Sequence, residues 1–130
     1  MPIDGQEYIV EAETDCRVMF IGYDSVVKRC AHACPHHSKL VSNLFHMAAR
    51  KAGQLSLHIN ILSQRTLRQK LLTYFGFVAK SRGSDEFDLP MTMTELSEYL
   101  FADRSAMMRE IAHMRADGLI EYSSRRVKLL

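Results

Sequence analysis

Tryptophan is absent from the sequence, and proline and cysteine are scarce, with three of each among 130 residues. An odd number of cysteines does not form a closed disulfide framework and fits the reducing interior of a cell. No apolar run reaches the roughly eighteen residues of a membrane span, and no basic start precedes an apolar core. We therefore expect a cytoplasmic protein with neither a signal peptide nor a membrane partner.

A strong excess of charge of either sign is also missing, since the formal net charge is +2. Such a balance neither requires nor excludes nucleic acid. The sequence lacks a Ser/His/Asp arrangement, paired carboxylates and a glycine-rich phosphate loop, so we do not expect an enzyme and assign no cofactor. What is present is an apolar content of 47%, which supports a packed core in one domain or two small lobes.

Two short helical patterns, separated by a turn at Phe101 and Ala102, lie near the C-terminal end. Thr94 is the predicted N-cap of the first helix, and Asp103 is the predicted N-cap of the second. The apolar residues recur at spacings of three and four, as expected for helices with one buried face. They are Leu96, Tyr99 and Leu100 in the first helix, and Met107, Ile111 and Met114 in the second, which runs from Arg104 to about Ala116.

A strand–turn–strand pattern follows the second helix. Gly118 suits the left-handed backbone position that ends a helix. The strands are predicted over residues 119–122 and 127–130, around a tip at residues 123–125, and a short edge strand is predicted at residues 87–90. This order is that of a winged helix-turn-helix, a module that lays its second helix in the DNA major groove.

The outward side chains of the second helix decide what this module can contact. Arg104 and Arg109 stand near the helix start, where an arginine can donate two hydrogen bonds to guanine, and Ser105 can donate or accept. The wing carries three cations with the reach for backbone phosphates: Arg125, Arg126 and Lys128. The alternative is that these are ordinary solvated charges, because residues 91–130 hold six Lys/Arg and six Asp/Glu.

Two runs carry a resemblance to a known family: TELSEYLFADRSAMMREIAHMRADGLI and SQRTLRQKLLTYFGFVA. They resemble the C-terminal part of the Crp/Fnr family of bacterial transcription regulators. The resemblance implies binding to double-stranded DNA, with base reading by Arg104, Ser105 and Arg109. It also implies that four residues lie near the phosphates: Thr92, Thr94, Asp103 and Ala106.

The sequence departs from the family at three positions. Many members carry Glu where Ser105 stands, so we expect a different target half-site. A small residue is usual in the turn where Phe101 stands. Ala106 replaces a common hydroxyl side chain, so we expect one phosphate contact fewer.

A long helical pattern covers residues 36–62 and projects beyond a small domain, at about 1.5 Å per residue. The resemblance implies that it is the dimerisation helix, which packs against its twin as a parallel coiled coil. Two-fold pairing would then place two recognition helices about one turn of DNA apart. The alternative is that the stripe packs on its own chain. The stripe consists of Val41, Leu44, Ala48, Ala52, Leu55, Ile59 and Leu62, interrupted as a heptad by Lys51 and His58.

The next helix is predicted from Gln64 to about Lys80, with Ser63 as its N-cap. Its buried face is predicted to hold Leu67, Leu71, Leu72, Phe75 and Val78. Three cations are predicted to face away from the core: Arg65, Arg68 and Lys70.

Two strands are predicted near the N-terminus, over residues 6–13 and 17–21, and a short helix over residues 23–33. The strands resemble the last strands of the family's cyclic-nucleotide-binding β-roll. The phosphate-cradling Gly-Glu segment of that β-roll has no counterpart, so no nucleotide-binding residue is transferred. The resemblance therefore implies a regulator that lacks most of its sensing lobe.

Cysteine and histidine are concentrated in the run CAHACPHH. A metal site or a thiol switch would use Cys30, Cys34, His36 and His37, because thiolate and imidazole bind zinc and iron well. The spacing is not a standard zinc spacing, however, and a closed site needs a fourth ligand. We favour the interpretation that Cys30 is a small buried residue and that the histidines are exposed at a helix start.

Together these patterns predict a mainly α (α+β) protein. A remnant of a β-roll at residues 1–35 precedes a dimerisation helix at 36–62 and a winged helix-turn-helix domain at 63–130. The expected function is sequence-specific DNA binding by a homodimer on an inverted-repeat operator, with RNA polymerase recruited or blocked. The alternatives are a metal- or thiol-responsive sensor and a winged helix that binds a protein.

Overall fold

The computed structural model describes residues 9–27 and 35–130. The chain divides into two compact units, Met1–Met47 and Ala48–Leu130. The helices are α1 (Tyr23–Val27), α2 (Pro35–Leu62), α3 (Leu67–Arg82), α4 (Met93–Tyr99) and α5 (Arg104–Ala116). The strands are β1 (Glu86–Asp88), β2 (Ile120–Ser123) and β3 (Arg126–Leu129).

The N-terminal segment differs from its prediction. Residues 9–22 form no strand, and Ile9, Val10 and Phe20 are more than 90% exposed, at 94%, 93% and 95%. The expected strands are therefore not formed at residues 9–13 or 17–21, while residues 6–8 lie outside the described chain. Two strands without a third or a packing face do not hold together in water, which explains the irregular backbone. Of the short helix predicted over 23–33, the described part is α1.

Helix α2 begins at Pro35, one residue before the predicted start, and ends at Leu62. Proline suits a first turn because the N–H group it lacks has no partner inside the helix. Ile61 is the residue of α2 that is buried. Val41, Leu55 and Ile59 of the predicted stripe are 40%, 53% and 67% exposed. This chain alone therefore leaves much of the stripe in contact with solvent.

Helix α3 starts later than predicted, because its N-cap is Thr66 and not Ser63. The Thr66 hydroxyl accepts a hydrogen bond from the Gln69 N–H at 3.2 Å. Ser63 Oγ instead donates to the Asn60 carbonyl at 2.8 Å, on the last turn of α2. The C-cap is Gly83, at φ 67°, where a residue with a Cβ would be strained.

The three strands form one antiparallel sheet in the order β1-β3-β2. Val127 in the central strand is opposite Phe87 of β1 and Tyr122 of β2, and it is fully buried. A two-residue turn at Ser124 and Arg125 joins β2 to β3, with Ser124 at φ 56°. The wing hairpin is thus formed as predicted, with slightly shifted strand ends.

The core of the second unit lies between α3, α4, α5 and the sheet. Burial of apolar surface stabilises such a core by roughly 25 cal/mol per Å². The fully buried large side chains are Ile61, Leu71, Phe75, Leu96, Leu100, Met107, Ile111, Met114, Ile120 and Val127. The mainly α fold with a winged helix-turn-helix is confirmed. Within residues 9–27 and 35–130, no helix is both long and apolar enough to span a bilayer.

Tyr74 on α3 is a polar exception in this core. It is 4% exposed, and its hydroxyl has no hydrogen-bond partner among the described residues. Burial raises the pKa of Tyr74 to about 12. We expect Tyr74→Phe to raise the free energy of unfolding by about 1 kcal/mol, because it removes a buried hydroxyl that no partner satisfies. Urea unfolding of both proteins measures this difference.

Tyr122→Phe is the matched control, because the Tyr122 hydroxyl donates to the Ser124 carbonyl at 2.6 Å. This variant is expected to lose about 0.5–1 kcal/mol, the net contribution of an ordinary hydrogen bond. A destabilised Tyr74→Phe protein would contradict the assignment of an unsatisfied hydroxyl.

Candidate nucleic-acid interface

Helix α4 begins with a capping box at Thr92 and Glu95. The Thr92 hydroxyl accepts from the Glu95 N–H at 3.2 Å, and the Glu95 carboxylate accepts from the Thr92 N–H at 2.6 Å. The predicted N-cap, Thr94, is wrong by half a turn; it lies exposed inside the helix. Hydrogen bonds from the Thr92 backbone and side chain lower the pKa of Glu95. The hydroxyl of Thr92 is therefore the N-cap acceptor of α4.

The turn between α4 and α5 is held by backbone and lysine contacts. Phe101 adopts a left-handed backbone at φ 49° although it is not glycine, and its ring is 77% exposed. The Ala102 N–H donates to the Ser97 carbonyl at 3.0 Å. Lys70 on α3 donates to the Leu100 carbonyl at 3.2 Å. These contacts fix the point at which α5 begins.

Helix α5 has the N-cap and the buried stripe that the sequence predicts. The Asp103 carboxylate accepts from the Ala106 N–H at 2.8 Å. Met107, Ile111 and Met114 are each at most 2% exposed. One face of α5 is thus packed against the core, and the opposite face is left to solvent.

Arg68 on α3 adds an ionic contact to this packing. Its guanidinium donates to Glu110 at 2.5 Å, inside α5, and to Asp117 at 2.6 Å, at the helix C-cap. The hydrogen bond to Glu110, followed by that to Asp117, raises the pKa of Arg68. Arg68 and Lys70 were both predicted to face away from the core, but Arg68 contacts α5 and Lys70 contacts the turn before it. Sequence reasoning missed the contacts of Arg68 because its two acidic partners lie more than forty residues further along the chain.

The predicted base-reading residues lie together on the exposed side of α5. Arg104, Ser105 and Arg109 are exposed, and none of their side chains forms a hydrogen bond or ion pair with another described residue. Ser105 follows Arg104 directly. Arg109 lies four residues after Ser105, so Ser105 and Arg109 are neighbours on the helix surface. Two guanidinium groups and a hydroxyl are therefore free to meet a ligand at the start of α5.

The wing cations have intramolecular partners. Arg126 donates to Asp88 at 3.3 Å and to Glu86 at 3.4 Å, and Lys128 lies 3.4 Å from Glu121. Arg125 donates to the Leu89 carbonyl at 3.1 Å. Exposed ion pairs of this kind are weak, so a phosphate can replace the carboxylate partners. Nearby carboxylates therefore partly neutralise the positive charge of the wing, which the prediction from the cations alone did not include.

The other residues assigned to the phosphates have different surroundings. The Thr92 and Asp103 side chains accept hydrogen bonds as helix caps, and Thr94 is exposed. Ala106 is half-buried and its backbone N–H already donates to Asp103.

The Cys/His segment lies partly outside the described residues. Cys30 and Cys34 are not among them, whereas His36 and His37 lie on the first turn of α2. Across residues 9–27 and 35–130, no three His, Cys, Asp or Glu side chains are close enough together to hold a metal ion. Cys16 is exposed.

His58 is a second residue whose role sequence reasoning missed. Its Nε2 donates to the Tyr99 carbonyl at 2.7 Å, and its ring stacks on the Tyr99 ring at 3.9 Å. It therefore attaches the last turns of α2 to the end of α4. The only sequence signal was that His58 interrupts the apolar stripe, which favours a polar partner over a second helix at that position.

The arrangement of α3–α5 and the β2–β3 hairpin defines a winged helix-turn-helix protein. The family model described as "Crp-like helix-turn-helix domain" matches residues 64–130, about half of the chain. The chain belongs to this family, and the resemblance to Crp/Fnr regulators is confirmed.

Two relatives illustrate the family. The transcriptional activator protein FnrL of Cereibacter sphaeroides is 27% identical over 75 residues, which cover 51% of this chain and 30% of FnrL. TTHB099, a transcriptional regulator of the CRP family from Thermus thermophilus, has the same fold with a TM-score of 0.54 and 21% identity. That match covers 75% of this chain and 50% of TTHB099. The chain thus matches half or less of either relative.

The capping box makes stability depend on pH in a defined direction. A carboxylate whose folded pKa is lowered stabilises the fold above its unfolded pKa, here 4.5, and this contribution is lost as pH falls through the folded pKa. We expect Glu95→Gln to lower the free energy of unfolding near neutral pH, and we expect this deficit to be smaller at about pH 3. Urea unfolding at the two pH values measures both differences.

Glu98→Gln serves as the control, because Glu98 is exposed on the same helix and its carboxylate has no hydrogen bond to a described residue. Its effect should be small at both pH values. A Glu95→Gln deficit that persists undiminished in acid would show that the carboxylate charge is not what stabilises α4.

Proposed function

We propose that the chain is a sequence-specific DNA-binding transcription regulator. It binds an inverted-repeat operator as a homodimer, in the cytoplasm, with α5 in the major groove of each half-site. Binding recruits or blocks RNA polymerase at the promoter. The membership in the Crp-like helix-turn-helix family and the winged fold support this proposal.

The observation that carries it is the contrast between the cations of α5 and those around them. Arg104 and Arg109 have no partner among the described residues, whereas Arg68, Arg126 and Lys128 are paired with carboxylates. Specific DNA recognition needs side chains that are held in place by the helix but free at their tips. An arginine in that state can donate two hydrogen bonds to the O6 and N7 atoms of guanine.

Pairing through α2 is supported by the apolar residues that this chain leaves exposed. Leu55 and Ile59 lie one turn apart on the helix and are 53% and 67% exposed. Val41 and Phe45 have the same spacing and are 40% and 71% exposed. A second copy of α2 would cover such residues in a coiled coil, because each apolar side chain would fill a hole in the partner helix.

Substitution of the two free arginines tests the proposal. We expect Arg104→Ala and Arg109→Ala each to weaken binding to the selected operator by about 1–3 kcal/mol and to leave binding to random duplex nearly unchanged. The reason is that base contacts provide specificity, while phosphate contacts provide affinity for any sequence. Fluorescence anisotropy with both duplexes measures the two affinities at one salt concentration.

Lys80→Ala is the matched control, because Lys80 is an exposed cation on α3. It should bind the operator as the parent protein does. If the arginine variants bind the operator with unchanged affinity, the face of α5 does not read bases. Binding of a protein by the winged helix would then be the better interpretation.

A further inference from the structure

A groove of about 420 Å³ lies between α2, α3, the residues just before α4 and the last residue of α4. All of its lining residues belong to the unit Ala48–Leu130. Its walls include Leu57 and His58 of α2, Tyr74 and Phe77 of α3, Met91 just before α4, and Tyr99 at the end of α4. The groove lies away from Arg104, Ser105 and Arg109, none of which lines it.

The walls of the groove are mainly apolar. Phe77 of α3 remains 45% exposed, and the partly buried Leu57 and Met91 line the groove with it. The stacked rings of His58 and Tyr99 form another wall, and His58 Nε2 is engaged by the Tyr99 carbonyl. An apolar concave surface of this volume lies within the range of small-molecule sites, which is about 300–1,000 Å³.

The charged groups of the groove have one sign. Lys51 and Arg82 are both exposed, and no aspartate or glutamate lines the groove. The side chain of neither cation forms a hydrogen bond or ion pair with another described residue, in contrast to those of Arg68 and Lys128. The rim is therefore complementary to an anion, and the walls to an apolar body.

Tyr74 supplies a second, independent observation. It lines the groove from α3, is buried at 4% exposure, and its hydroxyl has no partner in the described chain. Buried hydroxyls are normally hydrogen-bonded, and those that are not call for an explanation such as an absent ligand. An acceptor oxygen entering beside Tyr74 would satisfy this donor.

We propose that the groove is a binding site for a small organic carboxylate with an aromatic or aliphatic body. The body occupies the apolar surface formed by Leu57 and Phe77. The carboxylate is attracted by Lys51 and Arg82 and accepts a hydrogen bond from the Tyr74 hydroxyl. This site does not depend on DNA binding by the chain, so ligand binding can be measured in the absence of DNA.

The experiment compares 4-phenylbutyrate with its uncharged amide, 4-phenylbutyramide. Isothermal titration calorimetry of the full chain measures both affinities, and ¹H–¹⁵N spectra locate the perturbed residues. We expect the carboxylate to bind about fivefold more tightly than the amide, which is the upper end of the range for one partly exposed charge contact. The perturbed signals should come from the groove.

Three variants of groove residues and one control variant separate the contributions of the site. Arg82→Gln and Lys51→Gln should each weaken binding of the carboxylate, while Lys80→Gln, an exposed cation of α3 outside the groove, should not. Tyr74→Phe should weaken binding although the folded protein is not destabilised, which distinguishes a lost contact from a damaged fold.

Equal affinity of the acid and the amide, perturbation confined to residues outside the groove, or no binding of either compound at millimolar concentration would each overturn the proposal. The last result includes the case in which a second copy of the chain already fills the groove.

Discussion

The orientation of α5 depends on the burial of Met107, Ile111 and Met114. These side chains fill one face of the helix and are at most 2% exposed, so the helix cannot rotate without exposing them to water. Arg68 joins the same helix to α3 through Glu110 and Asp117. Because one face of α5 is fixed in this way, the side chains of Arg104, Ser105 and Arg109 face solvent.

Residues 91–130 of the winged domain carry equal numbers of positive and negative side chains, and most of the cations on the wing are paired with carboxylates. Arg126 and Lys128 lie against carboxylates of neighbouring strands, which cancels most of the charge on the wing. Arg104 and Arg109 stand apart from these pairs. A neutral domain can therefore still present a local cationic face to DNA, because the field near a helix is set by its unpaired groups.

Sequence periodicity predicted the buried face of α5 and the order of the winged domain, because both depend on contacts within a few turns. The helix starts were less predictable: Thr92 and Thr94, like Ser63 and Thr66, are all competent caps, and only the packed chain selects one. The strands expected at residues 6–13 and 17–21 needed partners that local sequence does not supply. Arg68 and His58 could not be assigned, since their partners lie 41 or more residues away.

Selection of bound sequences from random duplex DNA, using the purified chain, tests the central claim most directly. If α5 reads bases in a paired protein, the enriched sequences should be inverted repeats with half-sites about one helical turn apart and a guanine in each half. Enrichment of single, unpaired half-sites would contradict the homodimer. Recovery of random sequence would contradict base reading by α5 altogether.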